Sequence, residues 1–202
     1  MLDEDVRLQQ LSAWLDECLP GLFAQRGWGA VPPASLTAAS SDASFRRYFR
    51  WQGEGRTLIV MDAPPPQEDC RPFVKMAEFL ARAKINVPEI LAQDLERGFL
   101  VLPDLGRQTY LDVINDDNAD PLFADALNAL LAFQQLPPDT PLPSYDHALL
   151  TRELQLFPDW YVRHELGFEF DDAQQAAWQR ICAILIDSAL AQPKVLVHRD
   201  YM

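Results

Sequence analysis

The stretch FRRYFRWQGEGRTLIVMDAPPP, residues 45–66, reads as a β-hairpin followed by a stiff connector. Residues 45–51 mix aromatics with arginines, a composition that suits a pleated, half-covered surface. Gly53-Glu54-Gly55 supplies the turn, and the Thr-Leu-Ile-Val-Met run at 57–61 returns as a more deeply buried strand. Upstream, residues 35–39 make a third strand, which enters the polar turn Ser40-Ser41-Asp42-Ala43-Ser44. Downstream, Pro64-Pro65-Pro66 keeps the chain extended.

Further along, residues 71–83 form an amphipathic helix, with Phe73, Met76, Ala77 and Leu80 on one face. Two more strands are expected at 87–92 and 99–102, around the turn at 95–98. The order β-β-β-α-β-β describes an antiparallel sheet with one helix. Ahead of it, Leu8, Leu11, Leu15 and Leu19, with Trp14, predict a helix over 6–19 that Pro20-Gly21 ends. After Pro103-Asp104-Leu105-Gly106 the character turns helical. Helices are expected at 109–114, 122–135, 149–157 and from Asp171-Asp172 to Ala191, the last started by an aspartate cap. Lys194–Val197 then predicts a strand. The division is residues 1–102, a connector at 103–106, and residues 107–202.

At 202 residues and 49% hydrophobic, the chain has ample material for a core. A net charge of −13 argues against a nucleic-acid polymer as partner, because no basic field is available to displace phosphate counterions. It leaves room for a mononucleotide, which needs only a local cluster of donors. Cys18, Cys70 and Cys182 share no metal-ligand or disulfide spacing and read as reduced thiols of a cytoplasmic protein. The acidic start is unlike a signal peptide, and no segment has the length of apolar residues a membrane span requires.

Four clusters carry chemistry. His198-Arg199-Asp200 follows three apolar residues, so a buried strand would deliver a carboxylate able to accept a hydroxyl proton, with the imidazole bracing its loop. The same triplet also occurs as an ordinary loop. The small residues at 40–44, followed by Arg46 and Arg47, suit backbone contact with an anion, or a plain turn flanked by solvated arginines. Residues 99–106 carry a buried strand into a connector whose backbone groups could bond a flat ring, or simply join two lobes. Glu153, Phe157 and Trp160 combine a carboxylate with aromatics, as sugar sites do and as cores also do.

In this order, the stretches SDASFRRYFR (41–50), TLIVMDAPP (57–65), FLVLPDLGRQTYLDVI (99–114), ELQLFPDWYV (153–162) and VLVHRDYM (195–202) resemble the aminoglycoside phosphotransferase-like kinases. The closest likeness is to their branch acting on the anomeric hydroxyl of N-acetylmuramate and N-acetylglucosamine. The resemblance implies an α+β, bilobal, protein-kinase-like fold, with a five-stranded antiparallel sheet and helix ahead of a mostly helical, incomplete second lobe. It implies ATP and Mg²⁺, a small sugar substrate, a cytoplasmic setting, and no membrane partner.

By the same resemblance Asp200 is the catalytic aspartate and His198 its brace. Asp42, Ala43, Ser44 and Phe45 cover the nucleotide phosphates, while Pro103, Asp104 and Leu105 meet the adenine. Glu153, Phe157 and Trp160 lie on the sugar side. Two departures stand out. Met61 occupies the place of the third-strand lysine, which leaves Glu78 on the next helix without its partner. Arg46 or Arg47 would replace that lysine; alternation on a strand sends them to opposite faces, and Arg46, nearer the turn, is favoured. The metal-binding asparagine and aspartate of kinase catalytic lobes would lie beyond residue 202. The chain therefore reads as part of a longer kinase, inactive by itself and with no metal ligand of its own. A kinase for an aminoglycoside or choline, or a non-catalytic nucleotide- or partner-binding pseudokinase fragment, are the competing readings.

Overall fold

The computed structural model describes residues 2–41, 44–137 and 142–201. Within-chain contacts divide the protein into two compact units, Met1–Leu122 and Phe123–Met202. Together they make an α+β fold, as expected.

The first unit is built on a five-stranded antiparallel sheet of order β1-β2-β3-β5-β4. Its strands are β1 (Ala34–Ser41), β2 (Arg47–Gly53), β3 (Arg56–Asp62), β4 (Ala92–Asp94) and β5 (Phe99–Pro103). The turn between β2 and β3 is Glu54-Gly55, with Gly55 at φ 69°, a left-handed value that glycine adopts without strain. Arg46 precedes β2 rather than lying on it. The strand expected at 87–92 is reduced to β4, because Pro88 has no N–H to donate; pairing begins only where the Leu91 N–H reaches Val101 O at 2.8 Å.

Register sorts the sheet into two faces. Arg47, Asp62 and Phe99 align across the strands, as do Phe49, Val60 and Val101; Tyr48, Met61 and Leu100 align on the opposite face, with Arg50, Ile59 and Leu102. The first face packs under α1 (Leu2–Arg26), whose Leu11, Trp14, Leu15, Leu19, Leu22 and Phe23 join Leu58, Val60, Phe99 and Val101 in one core. The second face meets α2 (Arg71–Arg82), where Cys70 and Val74 pack on Met61, Leu100 and Leu102.

Helix α1 does not stop at Pro20, which lies inside it. A proline in a helix interior costs about 3 kcal/mol. Burying Leu22 and Phe23 one turn later contributes roughly 1.5–3 kcal/mol each, and both are at most 5% exposed. The packing outweighs the break, and Pro20 sits on the exposed side. Of the cysteines, Cys70 is buried, while Cys18 and Cys182 are half-buried. Burial pushes the Cys18 thiol up to about 11, an inert packing group.

After α3 (Tyr110–Val113), α4 (Ala119–Gln134) carries the chain across the boundary between the units. The second unit also contains α5 (His147–Leu156), a π-helical continuation over Phe157–Glu165, and α6 (Asp172–Leu190). Asp171 caps α6 as expected, accepting the Gln174 N–H at 2.8 Å. Lys194–Val197 is not a strand. It pairs with no other strand among the described residues, and only Leu196 is buried, between half-exposed Val195 and Val197. No helix of the described residues is long and apolar enough to cross a membrane.

Candidate active site

In the first unit a cavity of about 460 Å³ opens on the Tyr48–Arg50–Ile59 face of the sheet. Ala39 and Ser40 of β1 form one wall, and the segment from Pro103 to Arg107 forms another. Arg50, 8% exposed, reaches from β2 to that segment. Its Nε and Nη2 donate to the two Asp104 carboxylate oxygens at 2.6 and 3.0 Å, and Nη2 also donates to Gly106 O at 3.0 Å. The Gly106 N–H closes the loop on Asp104 Oδ1 at 3.0 Å. These hydrogen bonds, led by those from Arg50, hold the Asp104 carboxyl well below the usual carboxylate range. Asp104 therefore offers a ligand its main chain rather than its carboxylate. Pro103 is half-buried beside it, and the Leu105 side chain is 75% exposed.

The turn expected to cover phosphates is described only in part, since Asp42 and Ala43 lie outside the described residues. Ser44 Oγ accepts the Arg46 N–H at 3.2 Å, and Phe45, its ring 67% exposed, donates its N–H to Glu68 Oε1 at 3.1 Å. Glu68 thus ties the turn to the segment after β3, and Arg46 Nε lies 3.4 Å from its other oxygen.

Arg47 does not reach the cavity. It projects from the α1 face of the sheet, where its Nε and Nη2 meet Asp62 Oδ2 at 3.1 and 2.5 Å. The cations in the cavity wall are instead Arg50, neutralised by Asp104, and the exposed Arg107, which has no ion-pair partner among the described residues. Met61 is fully buried among Cys70, Val74, Leu100 and Leu102. The residue that the resemblance aligns with a third-strand lysine is therefore a packing group under α2. Glu78 is not without a partner: it faces Arg82 one turn on, at 3.4 Å, on an exposed helix surface.

The second unit holds the His-Arg-Asp loop by its flanking side chains. The His198 ring lies edge-on to Phe133 and Tyr201, with centroids 5.9 and 5.4 Å away. Tyr201 Oη donates to Ala126 O at 2.6 Å, which fastens the loop to α4. Arg199, at φ 73°, donates from Nη2 to Glu153 Oε1 at 2.8 Å. Asp200 is exposed, and its carboxylate has no hydrogen-bonding or ionic partner among the described residues.

Of the three residues expected on the sugar side, Glu153 is engaged with Arg199. Phe157 stacks on Tyr161 at 5.6 Å and packs against Trp178 of α6 at 5.3 Å. Trp160, 63% exposed, stacks on His164 at 5.0 Å. The π-helical turn closes with the Leu166 N–H on Tyr161 O, five residues back, at 3.0 Å. That wider turn separates Phe157 and Trp160 into two aromatic rows. Sequence reasoning does not find Arg50, Glu68 or Tyr201 as structural parts of these sites. Arg50 shares Tyr48's strand, but nothing local in the sequence names its partner 54 residues on.

Residues 35–202 match the phosphotransferase enzyme family. The chain is 70% identical over 202 residues to an N-acetylmuramate/N-acetylglucosamine kinase of Pseudomonas putida, and 65% identical over 201 residues to one of Pseudomonas aeruginosa. Both matches take in the whole chain but 60% of the relative. A kinase of the same name from Neisseria meningitidis is 38% identical over 172 residues, which is 83% of this chain and 51% of that protein. The family match covers both units, from β1 to the His-Arg-Asp loop. The chain belongs to the phosphotransferase enzyme family.

Proposed function

We propose that this chain is the nucleotide-binding unit and the start of the catalytic unit of an ATP-dependent sugar kinase. Its acceptor is the anomeric hydroxyl of N-acetylmuramate or N-acetylglucosamine, in the cytoplasm, in the salvage of cell-wall amino sugars. The observation that carries the reading is Asp200: a carboxylate with no partner of its own among the described residues, on a loop whose neighbours on both sides are fastened. A group that is to take or orient a hydroxyl proton must be fixed in place and free at its oxygens. The names of the relatives support the choice of sugar.

The cavity on the Tyr48–Arg50 face fits the nucleotide. Main-chain groups of Pro103, Asp104 and Leu105 would meet the base, and the Arg50–Asp104 pair makes the adjoining wall rigid and neutral. Ser44 and Phe45, with Asp42 and Ala43, would lie over the phosphates. Bound nucleotide supplies the phosphoryl group, and its transfer depends on positioning and charge stabilisation more than on covalent help from the protein. The part of the chain's own residues is then to hold the acceptor hydroxyl against Asp200. Trp160, 63% exposed and stacked on His164, offers an apolar face for the sugar ring, while Phe157 is packed on Tyr161 and Trp178. Among the described residues no three His, Cys, Asp or Glu side chains gather at one place, and no step is assigned to Mg²⁺.

The test is Asp200→Asn in a protein of the relatives' full length, assayed by ADP release with each sugar. The expected result is a fall in kcat of about 10²–10⁴-fold, with KM for ATP and sugar little changed. Retention of near-full kcat would overturn the role of Asp200. Turnover with an aminoglycoside or choline but neither amino sugar would overturn the substrate.

A further inference from the structure

We infer that Glu153 is a positioning residue for Asp200, acting through Arg199 rather than through the sugar. The inference rests on the catalytic reading of Asp200 proposed above. Arg199 precedes Asp200 directly and stands at φ 73°, a left-handed conformation that residues with a Cβ adopt rarely. Such a residue keeps that conformation only when its surroundings hold it there. Arg199 Nη2 donates to Glu153 Oε1 at 2.8 Å, and the guanidinium lies 5.7 Å from the Tyr145 ring centroid. Arg152 Nη2 approaches the same Glu153 oxygen at 3.5 Å and adds to the positive charge around it.

Glu153 sits on α5, a regular helix whose N-terminus is capped by Asp146, so the carboxylate is presented from a fixed frame. The loop is fastened on either side, by His198 against Phe133 and by Tyr201 on Ala126 O, and the His198 and Tyr201 rings also pack on each other. Residue 199 is the link between those anchors. Releasing its side chain lets the backbone relax toward negative φ and turns the Asp200 peptide with it. A carboxylate displaced by a fraction of an ångström still leaves both substrates bound but lowers the fraction of encounters in attacking geometry. The signature is a loss in kcat without a change in KM.

A double-mutant comparison in the full-length protein separates this role from direct sugar contact. Glu153→Gln should lower kcat about 5–10-fold, with KM for the sugar within about twofold of the parent. Glycine adopts φ near 73° without a tether, so in an Arg199→Gly background the same Glu153→Gln change should have no further effect. Arg199→Lys, which keeps the charge, should retain more activity than Arg199→Ala. In the 202-residue chain itself, amide hydrogen exchange at residues 199–201 should quicken on Glu153→Gln, a readout that needs no catalysis. A rise in sugar KM of the same size in both backgrounds would make Glu153 a substrate contact and overturn the inference. Unchanged kcat and unchanged exchange would overturn it too. If Asp200→Asn keeps full activity while exchange still responds to Glu153→Gln, the tether stands and the catalytic role of Asp200 falls.

Discussion

Asp62 is the most heavily committed charge in the first unit, and replacing it tests whether α1 and the start of β2 are held by one carboxylate. Its side chain is fully buried at the end of β3. Arg7 of α1 donates from Nε and Nη2 to Oδ1 at 2.9 and 2.7 Å, while Arg47 of β2 donates to Oδ2. Arg7 also lies over the Phe99 ring, 4.6 Å from its centroid. In Asp62→Asn one oxygen remains for one guanidinium, but the other guanidinium faces an NH₂ group, donor against donor. Two charge-assisted hydrogen bonds are lost, each contributing roughly 1.5–3 kcal/mol. Partial rehydration offsets some of this, because the arginines are 19% and 30% exposed. The net expectation is about 3 kcal/mol, the lower end of the range for breaking a buried pair. With a urea dependence of about 2 kcal/mol/M the midpoint should fall by roughly 1.5 M. Arg47→Ala leaves Asp62 bonded to Arg7, so its cost should be nearer to about 1 kcal/mol. A midpoint shift below about 0.3 M for Asp62→Asn, or equal shifts for the two variants, would refute the shared anchor.

Three other perturbations probe the same unit. Gly98→Ala should destabilise by roughly 3 kcal/mol or more, from strain and overpacking together: the residue stands at φ 74°, and a Cβ there would lie 2.0 Å from Ala63 O. Urea unfolding checks it, and a loss under about 1 kcal/mol would contradict the close approach. Lys84→Gly should stabilise by about 1 kcal/mol, since exposed Lys84 ends α2 at φ 62° with the Ile85 N–H closing on Leu80 O; a fall in melting temperature would refute this. Asp104 is ionised to lower pH in the folded chain than in the unfolded one. Its contribution is therefore present above about pH 4 and lost as pH falls through the depressed folded value. The stability gap between the parent and Asp104→Asn should narrow between about pH 5 and the most acidic pH at which both fold, and a constant gap would show that the Arg50 pair contributes nothing to acid sensitivity.

The sheet is legible in the sequence because its signals are local. Gly53-Glu54-Gly55 names a hairpin whatever packs on it, and the apolar run of β3 names a strand covered on both faces. What the sequence hides depends on distant partners. Pro20 ends an isolated helix, yet it cannot stop one whose next turn buries Leu22 and Phe23. Val195-Leu196-Val197 has strand composition, but a strand also needs a neighbour to accept its ladder, and among the described residues there is none. The π-helical turn at Phe157–Glu165 leaves no periodic mark long enough to read, so the sequence groups Phe157 with Trp160 where the structure parts them.

The candidate site shows the same division more sharply. Alternation would send Arg46 and Arg47 to opposite faces only if both lay on the strand, but Arg46 precedes β2, and alternation cannot say which side of the sheet α1 covers. Once α1 brings Arg7 to Asp62, Arg47 joins it on the same carboxylate, on the face of the sheet opposite to the cavity. The cavity then keeps Arg50 as its buried cation, already neutralised by Asp104. At the turn, the Phe45 and Arg46 N–H groups are already donated to Glu68 and to Ser44 Oγ, so among the cations lining the cavity Arg107 is the one whose charge no ion pair offsets among the described residues.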